Sequence, residues 1–379
     1  MTEPSNDQPS DRPLVPTLTD GLVTLRGHRP EDAEGSYEQC QDPLSQQWTT
    51  VPVPYTREMA ARFVTVQMPA GWADDSAWGF AVEVDGRYAG TVELRDEGSG
   101  RAEVAYGSHP WVRGSGAMER AVRLLLEWGF TERGVEVVVW RANVGNWASR
   151  KLAWRLGFSF DGTVRRSLPQ RGELLDGWVG TLLPDEDRSP RHVWLEVPVL
   201  EGDGLRLRPW RESDVPRIVE ACADERTQHW LGQMPRPYTD ADARAWLDLQ
   251  GEARATGRAL HWAVVDPADD HRALASISVF DLVPEVEGEI GYWAHPDARG
   301  RGVMRQAMAM VVDHAFEALG VRRVMAGAAV ENTASRHVIE QNGLREWGTE
   351  RNGTVVLTGR ADVVWYDVLV EEWRAGRHR

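Results

Sequence analysis

The sequence predicts an α/β protein of two similar domains, each a mixed β-sheet with helices on both faces. Three observations predict it. Length is the first: 379 residues are about two and a half times a typical domain. Composition is the second, because 42% hydrophobic and 27% charged residues supply real cores and argue against a disordered chain. The third is an internal repeat. Residues 103–116 (EVAYGSHPWVRGSG) lie over 289–302 (EIGYWAHPDARGRG) with 7 of 14 positions identical at an offset of 186. The same offset carries Phe130 onto Phe316, Gly134 onto Gly320, and 146–157 (NWASRKLAWRLG) onto 332–343 (NTASRHVIEQNG). A period that long marks a duplicated domain, not a solenoid unit.

Upstream the offset drifts by a few residues, with Pro54-Tyr55-Thr56 over Pro237-Tyr238-Thr239 and Trp48 over Trp230. Boundaries follow from composition. Residues 1–13 are polar and proline-rich and read as a disordered tail. The first domain spans 14–183, the breaker-rich 184–191 (PDEDRSPR) reads as a linker, and the second domain spans 192–379.

Each copy opens with a short strand (22–26; 205–208) and a helix entered at an acidic residue, Glu31 or Asp214. A second helix follows, with Thr56 or Thr239 as its N-cap. Three extended segments come next (78–84, 88–94, 103–108; 261–266, 273–280, 288–295). A Gly-rich turn then opens an amphipathic helix (117–130; 303–319), and a β-branched strand (135–140; 321–325) leads to a helix starting at Asn146 or Asn332. Two strands close each copy (158–164 and 178–183; 346–351 and 363–370). Helices interleaved with strands in this way cover both faces of a sheet.

Charge narrows the function. Lys+Arg number 43 against 58 Asp+Glu, a net charge of −15, which has the wrong sign for gripping nucleic acid over a wide face. No run approaches 18 apolar residues and the first residues lack the order of a secretion signal, so a cytoplasmic protein with no membrane partner is expected. Two cysteines, each eight residues before a matching tryptophan (Cys40 and Trp48, Cys222 and Trp230), fit buried helix positions in a reducing setting. Histidines and cysteines are scattered without ligand spacing, so no metal is expected. The 18 tryptophans fit GC-rich coding; a second reading is that some line an apolar pocket.

The chemistry concentrates at the turn before the amphipathic helix. Glycines at 114 and 116, or 300 and 302, allow a left-handed bend, and the helix start aims unpaired N–H groups and a positive dipole end at one spot. That geometry suits a diphosphate, with Arg113, Arg299 and Arg301 adding charge. Neither copy has Gly-x-Gly-x-x-Gly after its first strand, which removes a dinucleotide-binding oxidoreductase.

The order strand, Arg-x-x-Gly-x-x turn, long helix, strand, and Asn-x-x-Ser-Arg opening the next helix resembles the GNAT superfamily of acyl-CoA-dependent N-acyltransferases. The nearest likeness is to the ribosomal-protein N-terminal acetyltransferases and related small-molecule acetylating enzymes. The Glu-x-x-Tyr-x-x-His-Pro strand and the ending Asp362, Trp365-Tyr366, Glu372-Trp373 carry it. The resemblance covers nearly the whole chain, as two tandem GNAT domains.

That resemblance implies a central sheet whose fourth and fifth strands splay apart, with acetyl-CoA or another acyl-CoA in the wedge and no metal. The diphosphate would rest on Arg113, Gly114, Ser115, Gly116, Ala117 and Met118 in the first copy, and on Arg299, Gly300, Arg301, Gly302, Val303 and Met304 in the second. The family's last small turn residue is methionine here, which still offers a backbone N–H. Glu103 and Glu289 would be general bases, with a solvated strand-end carboxylate as the plainer role, and Ser149 and Ser335 would serve the leaving thiolate, with helix capping as the plainer role. Asn146 and Asn332 would meet the pantetheine arm, cap the helix, or do both. An oxyanion would be met by a backbone N–H near Ser108 or Ala294. Tyr106 and Tyr292 fall on the face opposite the glutamates and read as core. His109 and His295 read as structural.

The implied activity is transfer of an acetyl group to a primary amine of a peptide N-terminus or small metabolite, by direct attack in a ternary complex. One alternative is a longer acyl-CoA or an acyl-carrier-protein donor; another is a non-catalytic acyl-CoA-binding sensor or scaffold. Both copies keep Glu, the Gly pair, Asn and Ser, while the fuller turn and the Trp-Tyr ending favour the second as the catalytic one. The halves can pack as an intramolecular pseudo-dimer, with homodimerisation left open. Acceptor loops at 67–78 and 281–288 do not name the amine.

Overall fold

The computed structural model describes residues 15–377; the expected tail at 1–13 lies outside the described residues. The chain divides into two compact units, one ending at Arg191 and the other starting at His192.

In the first unit the strands are β1 (Leu18–Thr19), β2 (Val23–Arg26), β3 (Ala77–Val84), β4 (Arg87–Gly98), β5 (Arg101–Ser108), β6 (Val137–Asn143), β7 (Gly162–Gln170) and β8 (Glu173–Leu182), in the order β1-β2-β3-β4-β5-β6-β8-β7. In the second they are β9 (Leu200–Gly202), β10 (Leu205–Arg208), β11 (Leu260–Asp266), β12 (Asp269–Val283), β13 (Glu287–Ala294), β14 (Arg323–Ala329), β15 (Arg345–Val356) and β16 (Gly359–Leu369), in the matching order β9-β10-β11-β12-β13-β14-β16-β15. All pairings are antiparallel except β5 with β6 and β13 with β14. The crossover between those parallel strands is the long helix, as parallel neighbours require.

The helices Ala117–Glu132 and Val303–Glu317 exist because apolar residues recur every three or four positions. Ala121, Val122, Leu125, Leu126 and Gly129 are buried in one, and Ala307, Met308, Val311, Val312 and Ala315 in the other. Each stripe packs on one sheet face and forms the larger core of its unit with residues of the central strands. Fully burying each Leu or Val contributes about 1.5–3 kcal/mol. A smaller second-unit core on the opposite face gathers Val215, Ile218, Cys222, Tyr238 and Ala243, with Trp210, Trp246 and Trp293 against it. Cys40 and Cys222 are both free and buried in helices, and burial raises their thiols above the ordinary range.

Local signals account for most boundaries. Thr56 Oγ1 accepts from Met59 N at 3.2 Å, and Thr239 Oγ1 from Asp242 N at 3.4 Å, as N-caps do. Two helices, Pro43–Trp48 and Glu225–Trp230, were not expected from the sequence. Asp42 and Asp224 cap them by accepting from Ser45 N and Thr227 N at 2.9 and 3.0 Å; Asp before Pro is a start signal. The short strands β2 and β10 are anchored by Arg26 and Arg208, whose side chains are buried. Arg208 grips Asp214 with two 2.8 Å bonds, both side chains about 1% exposed, and Arg26 holds Asp32 the same way. Residues 184–191 rest on the first unit: Arg188 lies 4.7 Å over the Phe130 ring, and Arg191 Nε donates to Gly157 O at 2.7 Å.

Candidate functional site

The site grows from the parting of two parallel strands. β13 and β14 pair only at Glu287/Arg323, Gly288/Val324 and Glu289/Met325. From residue 290 onward β13 has no strand partner on that edge. His295 N–H donates to Leu274 O on the β12 side, so by alternation the N–H groups of Tyr292 and Ala294 face the gap. In the first unit pairing runs one residue further, to Val104/Trp140, and His109 N–H bonds to Ala89 O, which turns Ser108 N–H to the gap. The amides expected near Ala294 and Ser108 therefore line the opened edges.

Alternation also separates the candidate side chains. Ile290, Tyr292 and Ala294 point into the core under the Val303–Glu317 helix, while Trp293, and with it Glu289 and Gly291, faces the other layer. Glu289 is half-buried, and among the described residues its carboxyl has no hydrogen bond or ion pair. Burial, with a smaller push from Asp281, raises its carboxyl to about 7. In the first unit Glu103 lies 3.4 Å from Arg141 Nη1; the matching position in the second unit is Gly327, which has no side chain to offer.

On the other face Ser335 sits in the first turn of the Thr333–Gln341 helix. The cap there is Asn332, whose Oδ1 accepts from Ser335 N at 3.2 Å. Ser335 Oγ is thus free of capping and meets Tyr292 Oη at 2.8 Å. Asn146, Ser149 and Tyr106 repeat the arrangement at 3.2 and 2.8 Å. Sequence reasoning assigned both tyrosines to the core and missed the hydroxyl; a buried Tyr usually finds a partner for it, and that was the available signal. Burial raises both phenols to about 12, so they stay protonated donors.

The two units differ inside the wedge. Trp140, 1% exposed, donates from Nε1 to Tyr106 Oη at 3.1 Å and to Ser149 Oγ at 3.0 Å. Its indole occupies the space between them. The matching residue is Ala326, whose side chain ends at Cβ.

The turns also differ. Gly300 and Gly302 adopt φ of +72° and +75°, and Gly114 and Gly116 +79° and +83°, the left-handed bend that glycine allows. Gly302 and Gly116 are the helix N-caps and, as glycines, bring no side chain of their own to the first-turn amides. Val303, Met304 and Ala117 are buried and Met118 packs against the core, leaving only their backbone to a ligand. Arg299 and Arg113 turn away, to Asp224 and Thr227 and to Asp42 and Ser45, and so tie the turn to the short preceding helix. Arg301 and Arg305 have no carboxylate partner among the described residues. In the first unit those positions are Ser115, whose Oγ takes up the Ala117 amide at 3.2 Å, and Glu119. Around the helix start the second unit carries two arginines without a carboxylate partner among the described residues; the first carries a glutamate that Arg123 and Arg155 pair with.

Parted parallel strands beside a glycine turn and a helix start, present twice, agree with comparison to known proteins. Residues 23–159 and 204–345 each match the acetyltransferase (GNAT) domain. The chain belongs to the GNAT acetyltransferase family. It is an acyl-transfer enzyme with two tandem GNAT domains. The putative ribosomal N-acetyltransferase YdaF of Bacillus subtilis is 39% identical over 87 residues, 23% of this chain and 48% of that protein, so this chain spans about half of YdaF's length. The probable N-acetyltransferase YjcK of Bacillus subtilis is 26% identical over 45% of this chain and 93% of its own. The solved structure of Mycobacterium smegmatis RimJ in complex with CoA-disulfide is 23% identical, covers 44% of this chain and 83% of that one, and has a TM-score of 0.41. Among the described residues of this GNAT protein no helix is long and apolar enough to cross a membrane, and no group of His, Cys, Asp and Glu could hold a metal.

Proposed function

We propose that the second GNAT domain transfers an acetyl group from acetyl-CoA to a primary amine, and that the first domain is not catalytic. One observation carries the choice: the Glu289 carboxyl has no charged partner among the described residues and is raised to about 7, whereas Glu103 faces Arg141; beside it, Trp140 is packed against Tyr106 and Ser149 in the first domain, where the second has Ala326 paired with the buried Tyr366.

Acetyl-CoA, when bound, supplies the acyl thioester. The residues that would hold it are the backbone of 300–304, with Arg301 and Arg305 toward its phosphates, and Asn332, whose Nδ2 has no partner among the described residues. The match of residues 204–345 to the acetyltransferase (GNAT) domain supports the donor. The amine nitrogen forms a bond to the acyl carbon as the carbon–sulfur bond breaks. Glu289 takes the proton that the nitrogen must lose, since a base works best with a pKa near the working pH. The Ala294 N–H faces the carbonyl oxygen's side of the gap. The hydroxyls of Ser335 and Tyr292 pass a proton to the departing sulfur and are refilled from solvent. Glu289 and the hydroxyl pair lie on opposite sheet faces, so the gap separates proton removal from thiol release. Ribosomal-protein relatives favour a peptide or protein amine as one class of acceptor.

Calorimetric titration of acetyl-CoA tests the reading. One site per chain is expected, lost in R301E/R305E and kept in G116E. Two sites, or one site lost in G116E, would overturn the assignment to the second domain.

A further inference from the structure

A pocket of about 490 Å³ opens in the second domain between the Glu225–Trp230 helix and the loop after it, the Asp240–Ala255 helix, and the β15–β16 hairpin. Its walls are apolar and aromatic: Trp230, Met234, Tyr238, Trp246 and Leu249. Asp242 is the one side chain among the lining residues that is charged at neutral pH. Thr239 donates to it from its backbone N at 2.8 Å and its hydroxyl at 2.6 Å, and those bonds hold the carboxyl below its ordinary range. The pocket thus presents a fixed anion beside aromatic faces, with no cation to compete.

The pocket lies on the Glu289 side of the sheet. Trp246, in its wall, meets Trp293 with ring centroids 6.3 Å apart, and Trp293 stands on the same face of β13 as Glu289, four residues on. The first domain has not kept the pocket's chemistry. At the offset of 183 set by Pro54-Tyr55-Thr56, Asp242 corresponds to Met59 and Ala245 to Arg62, so the first domain has no carboxylate at the one position and a cation at the other.

Building on the reading of the second domain as the acetylating one, we propose that this pocket selects the acceptor. It takes a primary amine carrying an aromatic or bulky apolar group, which enters as its ammonium ion. Apolar walls of this volume bury such a group, and aromatic faces with a carboxylate attract a cation. A small polar amine would leave the walls wet and gain little. A free amine and a peptide whose first residue is aromatic present the same chemistry.

The test uses the full chain with acetyl-CoA and a thiol-release assay. The amines are phenethylamine, ethylamine, a Phe-Ala dipeptide and a Gly-Ala dipeptide. The aromatic member of each pair should exceed its small counterpart by at least about tenfold in kcat/KM, the scale a filled apolar pocket gives. A245R, which places the first domain's cation in an exposed wall position, should abolish that preference while leaving acetyl-CoA binding by calorimetry unchanged. W246A should also lower it, and D242N should raise KM for both aromatic amines. Phenethylamine binding by calorimetry is a readout independent of turnover: it should be present in the wild type and absent in A245R. Equal or better turnover of the small amines, or an A245R variant with full preference, would overturn the pocket assignment and leave the acetyltransferase reading standing. Absence of turnover with all four amines and of acetyl-CoA binding would overturn the reading itself.

Discussion

Tyr292 Oη and Ser335 Oγ lie 2.8 Å apart, and they join two elements that are 43 residues distant in sequence across the parted strands. The tyrosine is core by position and functional by its tip. Because burial keeps the phenol protonated with its pKa at about 12, the pair can supply a proton to a leaving sulfur throughout the neutral range. S335A and Y292F are each expected to lower kcat by on the order of a hundredfold, the lower end of the range for positioned proton transfer, with little change in acetyl-CoA affinity. A more acidic donor thiol ester should narrow the loss, because its thiolate needs less help. Equal losses with both donors would show that the pair acts only on packing.

Glu289 makes two opposite demands on pH. For catalysis it must be ionised, so kcat/KM should rise through about pH 7 in the wild type. That limb should be absent in E289Q, with the rate lower by on the order of a hundredfold, and E103Q should keep it. For stability the sign reverses. The folded carboxyl holds its proton up to about 7 while the unfolded one releases it near 4.5. Between those values the native state binds more protons, and stability falls as pH rises. Relative to E289Q, the wild type should therefore lose melting temperature between pH 5 and 8. A parallel pair of melting curves across that range would remove the burial argument.

Much of this architecture was legible because the chain states it twice. Two Gly-x-Gly turns after matching strands fix the helix starts, and Asn332 with Ser335 fixes the next one. Thr56 and Thr239 announce their helices as caps. What escaped sequence reasoning is long-range and depends on what a side chain meets. Trp140 and Ala326 occupy the same strand position, and only the fold shows that an indole there reaches both Tyr106 and Ser149. Arg141 looks like an exposed strand arginine until the parallel register brings it to Glu103. Arg113 and Arg299, assigned to a phosphate by their place in the turn, instead reach Asp42 and Asp224. Charge near a motif says little until the competing carboxylates are located.

The Arg208–Asp214 pair tests how the second sheet edge is held. Both side chains are about 1% exposed, and Asp270 adds a third partner to the guanidinium at 3.2 Å. D214A removes the buried bidentate partner and leaves the cation with Asp270 and the backbone carbonyls of Pro209 and Asp270; removing one partner of a buried pair costs about 3–5 kcal/mol. The second domain's urea transition should shift by that amount while the first domain's stays in place, so the two must be followed by separate probes. Replacing both residues by apolar ones of similar volume, R208M/D214L, should cost much less than the single change. A D214A shift no larger than that of an exposed pair such as Arg57–Glu34 would mean that water reaches Arg208.

Trp140 offers the complementary experiment, restoring rather than removing. W140A clears the indole from the first wedge, at a cost of about 3–5 kcal/mol to that domain for the cavity left behind. Space alone should not create a site, because Ser115 still takes up the Ala117 amide and the helix start still lacks the two arginines of the second domain, Glu119 there being paired with Arg123 and Arg155. W140A should therefore bind one acetyl-CoA per chain, as the wild type does. The triple variant W140A/S115R/E119R supplies the second domain's two arginines as well as the room, and it should bind two. Its new site should stay inactive, since Glu103 remains beside Arg141. Adding R141G, the second domain's residue, should then give a measurable rate in a background that carries E289Q. If the single W140A change already yields a second, active site, the tryptophan alone is what silences the first domain, and the charge at its turn is irrelevant.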